Sequence, residues 1–440
     1  MKVWLKRVLY FFILVFVCIA VTLFMALQSF PHIQPKHQIS ANSAIENKRI
    51  AQRLVQTLKS NQQPIRLQAT QAELNGLSAF GHRAIPQLIS DVTLVNDSAF
   101  INVSLVLPLP EMIKYLNIEV MINSSKQGLD LDTVYIGSLE LPGNGVIKIV
   151  EWITNSYIKE EFGTSLLNMI DNVDISPKRI AVGITFPENL QNKNISTKEG
   201  LFALRDQFEI YGDVEIIRFY HQSLVDFIEL SPVAKHSMAE YLAFVFGLAQ
   251  QRNLAGVSDS LVEENRAALT ALVLYFCPDQ FELLVGDISN LSVSQLKQRI
   301  KLQASVKLRN RVDIQKHFIY SVALQLFGTS AASNAIGELK EFSDSNKGGS
   351  GFSFADLMAD RAGTRLAMLA TNSEESALRT QNLIAELSNE AQLLPELIGL
   401  PEGITQKKFE QYYRDIDSLV YQSMLLTIDK RLQKIAVYQE

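Results

Sequence analysis

Three short polar stripes between Asp313 and Gly363 constrain this chain more than any other feature. Asp313, His317 and Ser321 recur every fourth residue. Gly337, Lys340, Glu341 and Asp344 follow at intervals of three, one and three. Ser353, Asp356, Asp360 and Gly363 close the series. Residues three, four and seven apart lie on one face of a helix. Each stripe is bordered by apolar residues, so three consecutive helices each offer a narrow polar face that must be buried or shared. The spacing predicts one polar site built by all three.

The rest of the chain divides by period. From residue 65 to about 187, apolar residues alternate in Ala99–Leu107, Leu116–Ile122 and Leu129–Leu141, between Pro, Asn-Ser-Ser and Pro-Gly breaks. These are strand and turn signals. Arg179–Phe186 reads as a further strand, Val146–Asn172 has helical spacing, and Thr70-Gln71-Ala72-Glu73 has the form of a capping box. From about Ser196 to Glu440 the pattern is helical, with apolar stripes in Ala239–Gln250, Val262–Phe276, Ser294–Leu308, Lys316–Phe327 and Phe409–Tyr438. The last of these reads as one long amphipathic helix. Ala267–Phe276 is apolar but too short to span a bilayer, and it reads as core.

The N-terminus adds a third element. Val8 to Leu27 carries no charge, follows Lys2, Lys6 and Arg7, and precedes no further Lys or Arg until Lys36. Twenty such residues match the hydrocarbon thickness, and the flanking charge keeps the N-terminus cytoplasmic. The run exceeds the ~7–15 apolar residues of a cleaved signal, and Ala26-Leu27-Gln28 makes a poor cleavage site, which favours an uncleaved anchor. The expected class is α+β. A transmembrane helix spans 1–30 and a polar stalk spans 31–64, with a short helix at Ser43–Lys59 ended by Pro64. A membrane-proximal antiparallel sheet domain covers 65–195 and a large all-α domain covers 196–440. The implied topology is a single membrane crossing with the bulk of the chain exported.

Composition closes other routes. The net charge is −5 and no long basic run occurs, so nucleic acid is not an expected partner. Cys18 lies in the apolar run and Cys277 stands alone beyond it, so no disulfide framework is expected.

The stripes carry the chemistry. Asp313, one turn before His317, is placed to orient the imidazole. His317 with Glu341, Asp344, Asp356 and Asp360 forms a ligand set for a divalent cation. With one His in the set, magnesium, manganese or calcium fits better than zinc. In a metal-assisted hydrolase His317 and Glu341 would be the catalytic pair. Lys347-Gly348-Gly349-Ser350-Gly351-Phe352-Ser353 ends at a helix start capped by Ser353. Such a loop offers backbone amides to an anion, with Lys340, Gly349, Gly351 and Ser353 as the binding residues, or it is a plain turn. Its Lys precedes the glycines, so it is not a nucleotide-binding P-loop. Arg361 and Arg365 are candidates to neutralise the carboxylates, which would make the cluster a buried ion network. No nucleophile elbow and no His-Glu-x-x-His pair occurs.

The stretch from His317-Phe318 through Ser321, Gly337, Lys340-Glu341, Asp344, Gly351-Phe352-Ser353, Asp356-Leu357 and Asp360 to Gly363 resembles the YfiM-type family of bacterial envelope proteins. That resemblance covers about residues 311–365. Thr70-x-x-Glu73-Leu74-Asn75 and Ile136-Gly137-Ser138-Leu139-Glu140-Leu141-Pro142 are similar to the YpmS-type family of membrane-anchored bacterial proteins, over about 65–187. The two resemblances imply a bacterial envelope protein of no known substrate, set in the inner membrane with the bulk of the chain in the periplasm, whose sheet domain either spaces and docks the next domain or contacts an envelope lipid or glycan. A purely structural or assembly role is the remaining alternative.

Overall fold

The computed structural model describes residues 21–34, 65–157, 162–185, 213–230, 237–258, 260–278, 290–328, 330–345 and 349–439, with a few isolated residues besides. The chain divides into two compact units, Met1–Gly200 and Leu201–Glu440. The architecture is α+β: antiparallel sheets in the first unit and helices in the second.

The first unit holds two sheets. One is built on β1 (Leu27–Gln28), β3 (Leu88–Leu94), β4 (Ser98–Val106), β5 (Tyr115–Asn123), β6 (Asp130–Ile136) and β7 (Leu139–Pro142). Strands β3 to β7 lie in chain order, and β1 pairs with β5. The other sheet joins β2 (Ile65–Thr70), β9 (Arg179–Ile184) and β8 (Ile170–Ser176) in that order. Helix α1 (Gln71–Ala84) starts where the sequence predicts. Thr70 accepts from the Glu73 amide while the Glu73 side chain accepts from the Thr70 amide, a complete capping box. Leu94, Ala99, Val173 and Ile175 form the buried centre of this unit.

Asn117 on β5 shows how the first unit pays no penalty for a buried amide. Its Nδ2 donates to Gln28 Oε1 at 2.6 Å and to the Phe30 carbonyl at 2.9 Å. Its Oδ1 accepts from Ser104 Oγ at 2.6 Å and from the His32 amide at 3.0 Å. Those bonds, with the Leu27–Leu116 and Gln28–Tyr115 pairings, fasten residues 27–32 to β5.

This attachment bears on the expected anchor. No helix among the described residues is long and apolar enough to cross a membrane. The expected transmembrane helix over residues 8–27 is corrected on that finding, and with it the single-pass, signal-anchored reading. Residues 21–26 are helical, but the chain passes into β1 at Leu27, where the backbone is spent on the sheet. Residues 8–20 lie outside the described residues, as does most of the expected stalk and its helix at Ser43–Lys59.

Three further expectations shift. Leu129–Leu141 is a hairpin, because Gly137 turns at φ +59°. A Cβ there would sit 2.4 Å from the Ala26 carbonyl oxygen, so the turn also needs the glycine for space. Val146–Asn172 divides into α2 (Gly143–Tyr157), α3 (Phe162–Asn168) and the start of β8. The expected terminal helix divides as well. It runs as α12 (Gln406–Tyr412) and α13 (Leu419–Leu432), then a short 3-10 turn. Arg414 adopts φ +61° at the break, and Ser418 caps the second piece.

In the second unit, α4 (Val214–Leu230), α5 (Met238–Leu254), α6 (Leu261–Phe276) and α7 (Val293–Ser305) precede the stripes. Helix α6 is the axis: Ala267 through Phe276 is buried throughout. Arg299 on α7 donates to the carbonyls of Leu274, Tyr275 and Cys277 at 2.8–2.9 Å, meeting the C-terminal groups that a helix leaves without partners. The stripes fall on α8 (Val312–Leu326), α9 (Ser330–Ser345) and α10 (Phe354–Thr371), and α11 (Glu374–Ala385) follows. Helices α8 and α10 cross at Gly363, where a Cβ would lie 2.1 Å from the Phe318 carbonyl oxygen. That contact sets the spacing of the site.

Candidate functional site

Three helices bring their stripes together. His317 projects from α8 between the two aspartates of α10. Its Nδ1 lies 3.0 Å from Asp360 Oδ1, and its Nε2 lies 3.2 Å from Asp356 Oδ2. Glu341 on α9 approaches the same Nε2 at 3.9 Å. All four are nearly closed to solvent: His317 is 6% exposed, Glu341 0%, Asp356 8% and Asp360 4%. Burying so many ionisable groups is costly unless each is paired.

Most of the pairing is present. Ser321 donates to Asp360 Oδ1 at 2.9 Å. Glu341 accepts from Lys340 Nζ at 3.0 Å and from the Ser353 amide at 2.9 Å. Lys340 also reaches Asp344 at 2.8 Å. Two atoms are left over. Asp356 Oδ1 and Asp360 Oδ2 are buried and accept no hydrogen bond. The second faces Gly337, where a Cβ would lie only 2.7 Å away. A glycine at 337 is therefore what lets the Asp360 carboxylate sit against α9.

The electrostatics follow from this geometry. Burial opposes the His317 imidazolium, but Asp360 and Asp356 outweigh it and raise the pKa to about 10. With both ring nitrogens facing carboxylates, His317 in this arrangement carries both protons and has no lone pair to act as a base. Burial pushes Glu341 up to about 7, against the pull of Lys340. Burial also raises Asp356, yet the hydrogen bond and charge of His317 leave it below the usual carboxylate range.

His317, Asp356 and Asp360 line a cleft of about 630 Å³, and Glu341 is not among its lining residues. Gly351 and Ser353 reach its wall, and Gly349 does not. Gly349 packs on the Asp344 carbonyl, and the Gly351 amide donates to that same oxygen at 2.8 Å. The glycine loop thus closes the last turn of α9, and the Gly351 and Ser353 amides are already used within the chain. Ser353 caps α10 as its spacing predicts.

Asp313 does not orient His317. Arg311 holds it in a two-point pair, with Nη2 2.6 Å from Asp313 Oδ2. The same guanidinium pairs with Glu402 at 2.7 Å and stands 3.6 Å from Asp356. Arg361 also lies elsewhere, paired with Asp429 on α13 at 2.7 Å. Sequence reasoning missed Arg311 and Glu402. The two positions are 91 apart and only the fold brings them together. On either side of Ser353, Phe352 and Phe354 pack with Phe409, Tyr413 and Tyr421 in edge-to-face and tilted contacts.

The chain matches no family model, and no curated protein or solved structure is similar to it. The YfiM-type and YpmS-type resemblances rest on their quoted motifs alone.

Proposed function

We propose that the cleft between α8, α9 and α10 binds a divalent cation. One observation carries this reading: Asp360 Oδ2, on a residue more than nine-tenths buried, accepts no hydrogen bond, and Asp356 Oδ1 accepts none either, with only the Arg311 guanidinium near it at 3.6 Å. An orphaned buried acceptor costs about 1–3 kcal/mol, and more when charged. A cation supplies what they lack. Glu341 and Asp360 each offer one ligand atom, and His317 offers a third within 4.8 Å of both once the arriving cation displaces one of its ring protons. Asp356 stands beside them. Carboxylates with one imidazole favour a hard or borderline ion such as manganese, magnesium or calcium. Asp344, paired with Lys340 at 2.8 Å, stands outside this ligand set.

The test is elemental analysis of the full chain after incubation with manganese and removal of free ion, beside Glu341→Gln and Asp356→Asn. The expected result is a stoichiometric ion in the native chain and its loss in both variants. Absence of bound metal in the native chain, with no change in Tm on adding EDTA, overturns the proposal.

One observation favours a second reading. Both His317 nitrogens already lie at hydrogen-bond distance from carboxylates, which suits a metal-free imidazolium lock between helices. On that reading His317→Ala lowers stability in the presence and absence of metal alike.

A further inference from the structure

The cleft is much larger than a cation requires. A water occupies ~30 Å³ of liquid volume, so an ion with a few waters fills a small part of about 630 Å³. The remaining space has a direction. Asp313, Lys316, His317, Tyr320, Ser321 and Leu324 line it from α8. Eleven residues separate the first from the last, about 16 Å along the axis. Charged residues occupy the N-terminal end of that face, and Tyr320 and Leu324 occupy the other. Helix α9 repeats the gradient, with Lys340 beside the cluster and Ile336 a turn away from it.

Lys316 supplies the second clue. It lines the cleft one position before His317, partly exposed, and forms no ion pair with a carboxylate among the described residues. The other two cations at the opening are committed, Arg311 to Asp313 and Glu402 and Lys340 to Glu341 and Asp344. Alone, the carboxylate floor repels an anion. With a divalent cation on it, the floor and Lys316 become a pair of positive groups next to an apolar channel.

We infer that the cleft takes an amphipathic phosphate ester, its phosphate held between the bound cation and Lys316 and its apolar chain lying along Tyr320, Leu324 and Ile336. This rests on the cation reading above. The shared chemistry is a phosphate monoester or diester on an aliphatic chain, whether it arrives as a free metabolite or as a lipid head group.

The experiment is calorimetric titration of n-octyl phosphate into the full chain with and without manganese. Ethyl phosphate, inorganic phosphate and octylamine are the comparison probes, and manganese binding is measured separately. Octyl phosphate is expected to bind only with manganese present. Affinity should rise by about fourfold per added methylene from ethyl upward until the channel is filled. Lys316→Ala should weaken every phosphate by about tenfold. Leu324→Asp, at a partly exposed position, should abolish the chain-length dependence and leave manganese affinity unchanged. Equal affinity for ethyl and octyl phosphate would limit the site to a free phosphate and overturn the inference. Manganese binding without octyl phosphate binding overturns the inference and spares the cation. Failure to bind manganese overturns both. Octylamine displacing manganese would make the site an ammonium pocket and also overturn the inference.

Discussion

The helical unit buries one acid at Glu264 and a group of acids around His317, and they are finished differently. At Glu264 both carboxylate oxygens are filled: Arg252 donates to them at 3.0 and 3.1 Å, and the Tyr220 hydroxyl donates to Oε2. The Arg252 guanidinium then rests on the Phe219 ring, 4.3 Å from its centre. No buried atom of that group is left over among the described residues. At His317 three helices supply more carboxylate than cation, a cleft opens beside them, and two oxygens stay empty. The first cluster is what burial alone requires. The second keeps acceptor capacity that packing does not use, and the proposed cation would take it up.

Breaking the finished cluster should have the largest effect. Glu264→Ala strands a guanidinium and a phenol, and is expected to cost about 3–5 kcal/mol in urea denaturation. EDTA should not change that cost, since no metal is involved there. Stripping metal from the native chain comes next. If free manganese stands at 100 times its Kd, removal lowers stability by about 2.7 kcal/mol, read as a fall in Tm that Asp360→Asn does not show.

A pH series sharpens the contrast further. His317 is raised from 6.5 to about 10 by Asp360 and Asp356 against burial, with Glu341 and Lys340 also facing it. A raised pKa gives stability that is complete below the unfolded value and is lost as pH rises through the folded one. Metal-free protein should therefore lose Tm steadily between pH 7 and 10. His317→Gln should flatten that slope, and Glu264→Ala should leave it intact. A native slope that persists in His317→Gln would remove the imidazolium from the account.

Two smaller changes complete the series. Gly337→Ala relieves a helix of glycine, worth about 1 kcal/mol, but drives a methyl to within 2.7 Å of Asp360 Oδ2. The expected outcome is near-normal stability with manganese affinity reduced by at least tenfold. Arg311→Ala removes a partly exposed pair and should cost no more than about 1 kcal/mol in the same denaturation assay.

Much of this was legible in the sequence where the signal was local. The capping box at Thr70 and the N-cap at Ser353 were read from four residues each, because a cap is made within one turn. The period of the stripes suggested a shared polar site, but their convergence in space was decided only by the packing of α8, α9 and α10. What failed was long-range. Asp313 stands one turn from His317, yet a neighbouring Arg311 competes for it and wins with two bonds. Arg361 is one position from Asp360, but adjacent helical residues point different ways, and it reaches Asp429 instead. The apolar run to Leu27 predicted one continuous helix, whereas the open end of β5 captured its last residue. β3 was passed over because Asp91 and Thr93 dilute its alternation, and the hairpin at Gly137 because apolar residues continue on both sides of the turn.

Gly337 and Gly363 flank the Asp360 carboxylate, one under its oxygen and the other fixing α10 against α8. An added carbon at Gly363 would have to move a helix backbone, and one at Gly337 would have to move the Asp360 carboxylate. Over generations, such a block is inherited whole or not at all. Surface positions of the three helices are free to drift, but the glycines and the acids they admit must change together or stay. A descendant that abandons the proposed ligand would have no reason to keep Gly337, so its replacement is the mark by which a silent copy of this domain could be told from a working one.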